Sequence, residues 1–259
     1  MSLDLYCGSF AKFYSRDFET PQFRFCRENN IEYKLVIEGE PINWFTPDNA
    51  RGRSAAFIEK LNSKLAVKGR APSAWDDTKQ DYLVEQLFER SLNSLILTAA
   101  YLYRPELACP EHLPSDLETD QAYSESTTQK YYIGPMAILE SHIFLPSKAD
   151  TLFLDESPIG FDVSVTTTAN LKFALKRLAE GRWQGNVDAD SWFKRGPAPG
   201  GGKSYVEEKS LLPWRKKWRE VVEPSPADSL NWDAEYAFGC LSRLLQFSEQ
   251  TGLPITKDY

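Results

Sequence analysis

The sequence predicts an α+β fold, a small, mostly antiparallel sheet packed by four or more helices. Three observations carry that expectation. Short runs with apolar residues at every second position occur near the start, in the middle and at the end of the chain. Longer stretches between them place apolar residues at helical spacing. Strand, helix and crossover do not alternate often enough for a doubly wound parallel sheet.

In chain order, LDLYCGSF reads as an opening strand that ends near Gly8. Asp17 to Asn30 reads as a short helix weakened by Pro21. IEYKLVIEG alternates, with Ile31, Tyr33, Leu35 and Ile37 on one face, and predicts a half-buried strand closed by Gly39. From about Asn49 to Ala66, the residues Ala56, Phe57, Leu61 and Leu65 recur at helical spacing. A longer helix is expected from about Trp75 to Tyr103, its second half apolar nearly all round and so buried on several sides.

Pro105 ends that helix, and residues of about 105–130 are expected to be irregular because of Pro110, Pro114 and many Ser, Thr and Asp residues. SHIFLP, TLFLDE and FDVSVTT follow as strands, with an antiparallel hairpin at Ser157-Pro158-Ile159-Gly160. Thr168 is the expected cap of ANLKFALKRLAEG, and Gly181 suits the position just past its end. A second irregular region is expected at about 182–210, then a basic amphipathic helix in SLLPWRKKWREVV. The final helix, about Trp232 to Gln250, carries the stripe Ala237, Phe238, Leu241, Leu244 and Leu245, and GLPITKDY supplies a closing strand.

These elements are expected to form one α+β domain over residues 1–259. At 42% hydrophobic and 26% charged, the chain has the composition of a globular protein with a sizeable core. The net charge of −7 disfavours nucleic acid and anionic lipid and is compatible with a basic partner. Four scattered cysteines include no C-x-x-C pair, so reduced, mostly buried thiols are expected. MSLDLYCGSF has neither a basic nor an apolar signal region, and LNSLILTAAYLY is too short for a membrane span, which makes the cytosol the expected compartment.

Three motifs fail on inspection. GPAPGGGKS ends like a phosphate-binding loop, but the position requiring the first glycine holds Pro197, which has no N–H to offer a phosphate. NVDADSW starts like a calcium loop, but the positions requiring Gly and Glu hold Ser191 and Pro197. PWRKKWRE mixes aromatic and basic residues, yet Trp214 and Trp218 share a helical face with Leu211, Val221 and Val222. Neither a metal nor a cofactor is expected. His112 or His142 with a cysteine such as Cys7, or paired carboxylates such as Glu118 and Asp120, leaves a small-molecule enzyme as the alternative reading.

The strongest physical signal lies between Pro105 and Gln129. It contains Glu106, Glu111, Asp116, Glu118, Asp120 and Glu125 and no Lys or Arg. Such a concentrated negative field steers a basic protein onto the surface. Asp116, Glu118, Asp120, Tyr123 and Glu125 are the expected partner-binding residues. LDLYCGSFAKFYSRDFE at the start and LLQFSEQTGLPITKDY at the end resemble bacterial cytosolic proteins of the immunity type. That resemblance implies an acidic, noncatalytic protein that neutralises a toxin by covering its active site.

Overall fold

The computed structural model describes residues 2–31, 45–67, 69–70, 75–128, 134–199, 203–208, 217–222 and 229–258. The expected strand over 31–39 falls almost entirely outside these residues, as does the glycine run 200–202. Strand β1 (Ser2–Cys7) opens the chain and α1 (Phe10–Ser15) follows, with Ser9 accepting from the Lys12 amide as its N-cap. In α2 (Pro21–Glu28), Pro21 lies in the first turn, where its missing N–H would be unpaired anyway. It therefore starts the helix it was expected to weaken, and Thr20 caps it. Helix α3 (Pro47–Val67) buries Phe57, Leu61 and Leu65, as their spacing requires.

The expected helix over Trp75 to Tyr103 is instead a strand, β2 (Leu83–Phe88), followed by α4 (Glu89–Tyr101). The apolar residues from Tyr82 to Phe88 satisfy either period. Pairing decides between them, because β2 runs antiparallel to all of β1, from Ser2 opposite Phe88 to Cys7 opposite Leu83. The segment after α4 is not wholly irregular. It contains a 3₁₀ turn (Leu117–Thr119) and α5 (Gln121–Thr127).

Next come α6 (Pro135–Leu139), β3 (Ile143–Leu145), β4 (Phe153–Glu156) and β5 (Asp162–Thr167). The hairpin between β4 and β5 is antiparallel as expected, and its turn uses Gly160 at φ 87°. Helix α7 (Thr168–Gly181) is capped by Thr167, one residue earlier than expected. Gly181 is its last residue and not the position beyond it. A Cβ there would stand 2.7 Å from Leu102 Cδ2, so this glycine allows α7 to approach the end of α4.

The expected irregular region 182–210 holds α8 (Ala189–Arg195) and β6 (Lys203–Glu208). The expected basic helix is contradicted by β7 (Lys217–Val222), which pairs antiparallel with β6. Pro213 shortens any helix here, and Trp218, Val221 and Val222 are residue types that favour a strand. Helix α9 (Ser229–Thr251) and strand β8 (Ile255–Asp258) complete the chain.

The main sheet has the order β2-β1-β8-β3-β5-β4, and β3–β5 is its one parallel pair among the described residues. The fold is thus α+β with a mostly antiparallel sheet. The last strand of the chain sits between β1 and β3. In β1, Leu3, Leu5 and Cys7 face a core shared with α4, α6, α7 and α9, while Tyr6 faces a second core with α1 and α3. Lys60 and Lys64 of α3 pair with the buried Asp155 of β4 at 2.5 and 3.1 Å, fixing α3 to the sheet. Helix α8 packs tightly on α9 at Gly239, where a Cβ would lie 2.8 Å from the Ala189 carbonyl oxygen. Among the described residues no helix is long and apolar enough to cross a membrane.

Candidate partner-binding surface

The five acidic-segment residues divide into those that build the surface and those it presents. Asp116 starts the 3₁₀ turn by accepting from the Glu118 amide at 2.9 Å. Asp120 then caps α5, accepting from the Tyr123 amide at 3.1 Å, while its other oxygen accepts from the Tyr101 hydroxyl of α4 at 2.8 Å. The Tyr123 hydroxyl donates to Glu140 at 2.8 Å. Glu125 accepts from Gln121 and pairs with Arg104, which also pairs with Glu106. Upstream, the Leu230 amide donates to the Glu111 carbonyl at 3.0 Å, and His112 Nδ1 bonds to Ser229 Oγ at 2.9 Å. The segment is therefore tied to both α4 and α9. Asp116 and Glu118 stay exposed, whereas Asp120, Tyr123 and Glu125 are partly buried.

A count of charges within 106–129 misses Arg104, which lies just before the window. The signal available for α5 was Asp120 itself, since a carboxylate three residues before an amide is a helix N-cap pattern. Asp120→Ala is expected to cost about 2 kcal/mol, roughly half from the cap and half from the Tyr101 hydrogen bond. Urea denaturation checks this, with a loss of less than about 0.5 kcal/mol contradicting a structural role for Asp120.

Beneath this surface lies a chain of polar groups that the sequence did not reveal. Glu140, which holds Tyr123, has its carboxyl raised by burial. Lys257 of β8 is buried close to it, and its ammonium donates to the Leu139 carbonyl at the end of α6. Burial pushes Lys257 down to about 7, and Glu140 opposes that shift. His142 is also lowered, first by burial and then by Lys257, and its Nδ1 bonds to Ser164 Oγ at 2.7 Å. The acidic surface is thereby connected through Tyr123 and Glu140 to a buried lysine at the centre of the sheet. Alternation in ITKDY marks a strand but does not tell which face receives the lysine.

The catalytic candidates lie in a different setting. Cys7 is fully buried and donates to the Leu253 carbonyl at 3.6 Å, and burial pushes its thiol up to about 12. Cys240 is buried and likewise raised to about 12. A nucleophilic cysteine needs the opposite shift. His142 is held against Ser164, and the exposed His112 against Ser229. Glu118 is exposed while Asp120 is committed to Tyr101 and the α5 cap. No group of three or more His, Cys, Asp or Glu residues suited to a metal ion occurs among the described residues. At the phosphate-loop motif, Lys203 and Ser204 begin strand β6, where a phosphate-binding loop would open a helix. In comparisons with known proteins, no family model, curated sequence or solved structure matches the chain.

Proposed function

We propose that this chain is a noncatalytic cytosolic binding protein of the immunity type, which neutralises a basic toxin or enzyme by covering its active site. The observation that supports this reading is the ordered presentation of the acidic segment. Asp120, Tyr123 and Glu125 spend their polar groups on holding the segment to the body, which leaves Asp116 and Glu118 exposed on a fixed scaffold. A surface already ordered before encounter loses less entropy on binding. Its negative charge accelerates approach of a basic partner and disfavours acidic ones.

The test is co-purification at moderate salt from the cells that make the protein, comparing the native chain with an Asp116→Lys/Glu118→Lys double variant. The native chain is expected to retain a stoichiometric basic protein whose activity it inhibits. The double variant is expected to lose most of that partner, with a melting temperature lowered only slightly by loss of the Asp116 cap on the 3₁₀ turn. Equal recovery by the two chains would remove these carboxylates from the recognition surface, and a chain that returns alone would count against a binding protein.

A further inference from the structure

One chain of interacting groups runs from the exposed acids to the centre of the sheet. Burial, then Glu140, then Glu118 hold the Tyr123 hydroxyl in its neutral form. That hydroxyl donates to Glu140 at 2.8 Å. The neighbouring Leu139 carbonyl accepts from the Lys257 ammonium, and Lys257 and Glu140 act on one another. Lys257 also acts on His142, whose carbonyl accepts from the Lys257 amide at 2.9 Å.

The other neighbours of Lys257 are apolar or already paired. It stands opposite Leu5 of β1, and its ammonium lies 5.7 Å from the centre of the Phe144 ring of β3. Beyond Leu5 comes Glu85 of β2, which Arg243 of α9 holds at 2.9 Å. Asp4 and Asp258 alternate to the opposite face of the sheet, where Arg16 holds both oxygens of Asp258. Among the described residues, Glu140 is thus the carboxylate that favours the charged form of Lys257.

Lys257 is 4% exposed, and burial brings it down to about 7. Near neutral pH the Glu140–Lys257 pair therefore exchanges one proton with solvent. When that proton leaves, the net charge of the pair falls by one unit, whichever group ends without it. The pair lies directly behind Tyr123, on which Glu118 acts. A cation bound at Glu118 disfavours the proton, and by reciprocity loss of the proton favours the cation. The folded interior screens this coupling less than water does.

We propose that Lys257 releases its proton to solvent when a basic protein docks on Asp116 and Glu118, which makes recognition tighter at pH 8 than at pH 6. The inference rests on the acidic surface being the recognition face.

Hexa-arginine with blocked ends is a suitable probe, because none of its groups titrates between pH 6 and 8. At low salt it is expected to bind the native chain and to bind Asp116→Lys/Glu118→Lys at least about fivefold more weakly. The Cε resonance of Lys257 reports the protonation of that side chain alone. Its midpoint is expected near pH 7 in the free chain and about half a pH unit lower with the peptide bound. The affinity of the native chain is then expected to gain about two- to threefold between pH 6 and pH 8. Lys257→Met retains Asp4, His112 and His142 and is expected to lose that gain while still binding the peptide. Binding without movement of the Lys257 midpoint overturns the proposal and leaves the acidic surface as the recognition face. Equal binding by the native and double-variant chains, or by neither, overturns the recognition face and this inference with it. The resonance is read in the native chain, so the result stands even if Lys257→Met fails to fold.

Discussion

Lys257→Met is expected to make the protein more stable, by about 2 kcal/mol at pH 7, and to remove a distinctive pH dependence. The physical reason is the cost of keeping an ammonium in the core. Lys257 has fallen to about 7 in the folded protein from the ordinary lysine value of 10.5. Below pH 7 both folded and unfolded chains hold the proton, so the full cost of burial is present. Between pH 7 and 10.5 the folded protein releases the proton while the unfolded chain keeps it. The unfolded state then binds more protons, and stability rises with pH at up to about 1.4 kcal/mol per unit from this group.

The clearest window is pH 7 to 8. Above it the thiols of Cys7 and Cys240, raised by burial to about 12, act with the opposite sign. They do so in native and variant chains alike, so the difference between the two chains still isolates Lys257. Asp4, raised to about 6 by burial and by Asp258, acts at lower pH and with the opposite sign. Glu140 acts on Lys257, Lys257 in turn acts on His142, and Glu140 and His142 are both shifted toward their neutral forms. Methionine retains the length and apolar body of the side chain without its charge. Denaturation of native and variant chains across pH 7 to 9 checks both the gain and the lost slope. A variant less stable than the native chain at pH 7 would show that the contacts of Lys257 with Leu139 and Glu140 outweigh its desolvation. A confirmed gain would mean that the fold retains this lysine at a cost to stability, consistent with its place under the acidic surface.

Asp233→Ala is expected to be strongly destabilising, by about 3 kcal/mol. Asp233 is buried at the start of α9 and accepts from Ser91 Oγ at 2.9 Å and from the Ala198 amide at 3.0 Å. Arg90 pairs with it at 3.3 Å and also donates to the Ala198 carbonyl. Alongside, Trp232 Nε1 donates to the Gly196 carbonyl at 3.0 Å. The start of the glycine-rich segment is therefore bound to α4 and α9, with its backbone satisfied by protein groups. Alanine would leave the Ser91 hydroxyl, the Ala198 amide and the Arg90 guanidinium without their shared acceptor. Asp233→Asn keeps one oxygen and is expected to lose less. Urea titration of both variants decides, and a loss below about 1 kcal/mol for alanine would mean the latch is replaceable by water.

The parts legible in the sequence were those whose local pattern agrees with their tertiary setting. Ala237, Phe238, Leu241, Leu244 and Leu245 mark the buried face of α9 because one unbroken stripe meets one core. The β4–β5 hairpin was legible because Gly160 supplies a positive φ where the turn requires it. Strand β2 was not, since its apolar run serves a helix equally well and only the distant β1 resolves the choice. The central position of β8 is likewise a property of pairing with β1 and β3, which no local pattern records.

The candidate site divides in the same way. Asp116 and Glu118 were legible as exposed acids, because a Pro-, Ser- and Asp-rich segment offers them no apolar cover and the one bond Asp116 accepts, from the Glu118 amide, is local. Asp120, Tyr123 and Glu125 looked similar, but their partners Tyr101, Glu140 and Arg104 lie outside the segment and give them internal work. Lys257 and Thr256 escaped notice because a short terminal strand reads as polar until its neighbours show that both of its faces are covered.

In the proposed function, Asp116 and Glu118 act together as a fixed electrostatic surface for a basic protein. Its most direct test is the association rate of the purified pair, measured as ionic strength is raised, for the native chain and for Asp116→Lys/Glu118→Lys. The native chain is expected to associate fast, at a rate that falls steeply with salt. The double variant is expected to associate at least tenfold more slowly at low salt, with a nearly flat salt dependence. Equal rates and equal salt slopes for the two chains would contradict the proposed function.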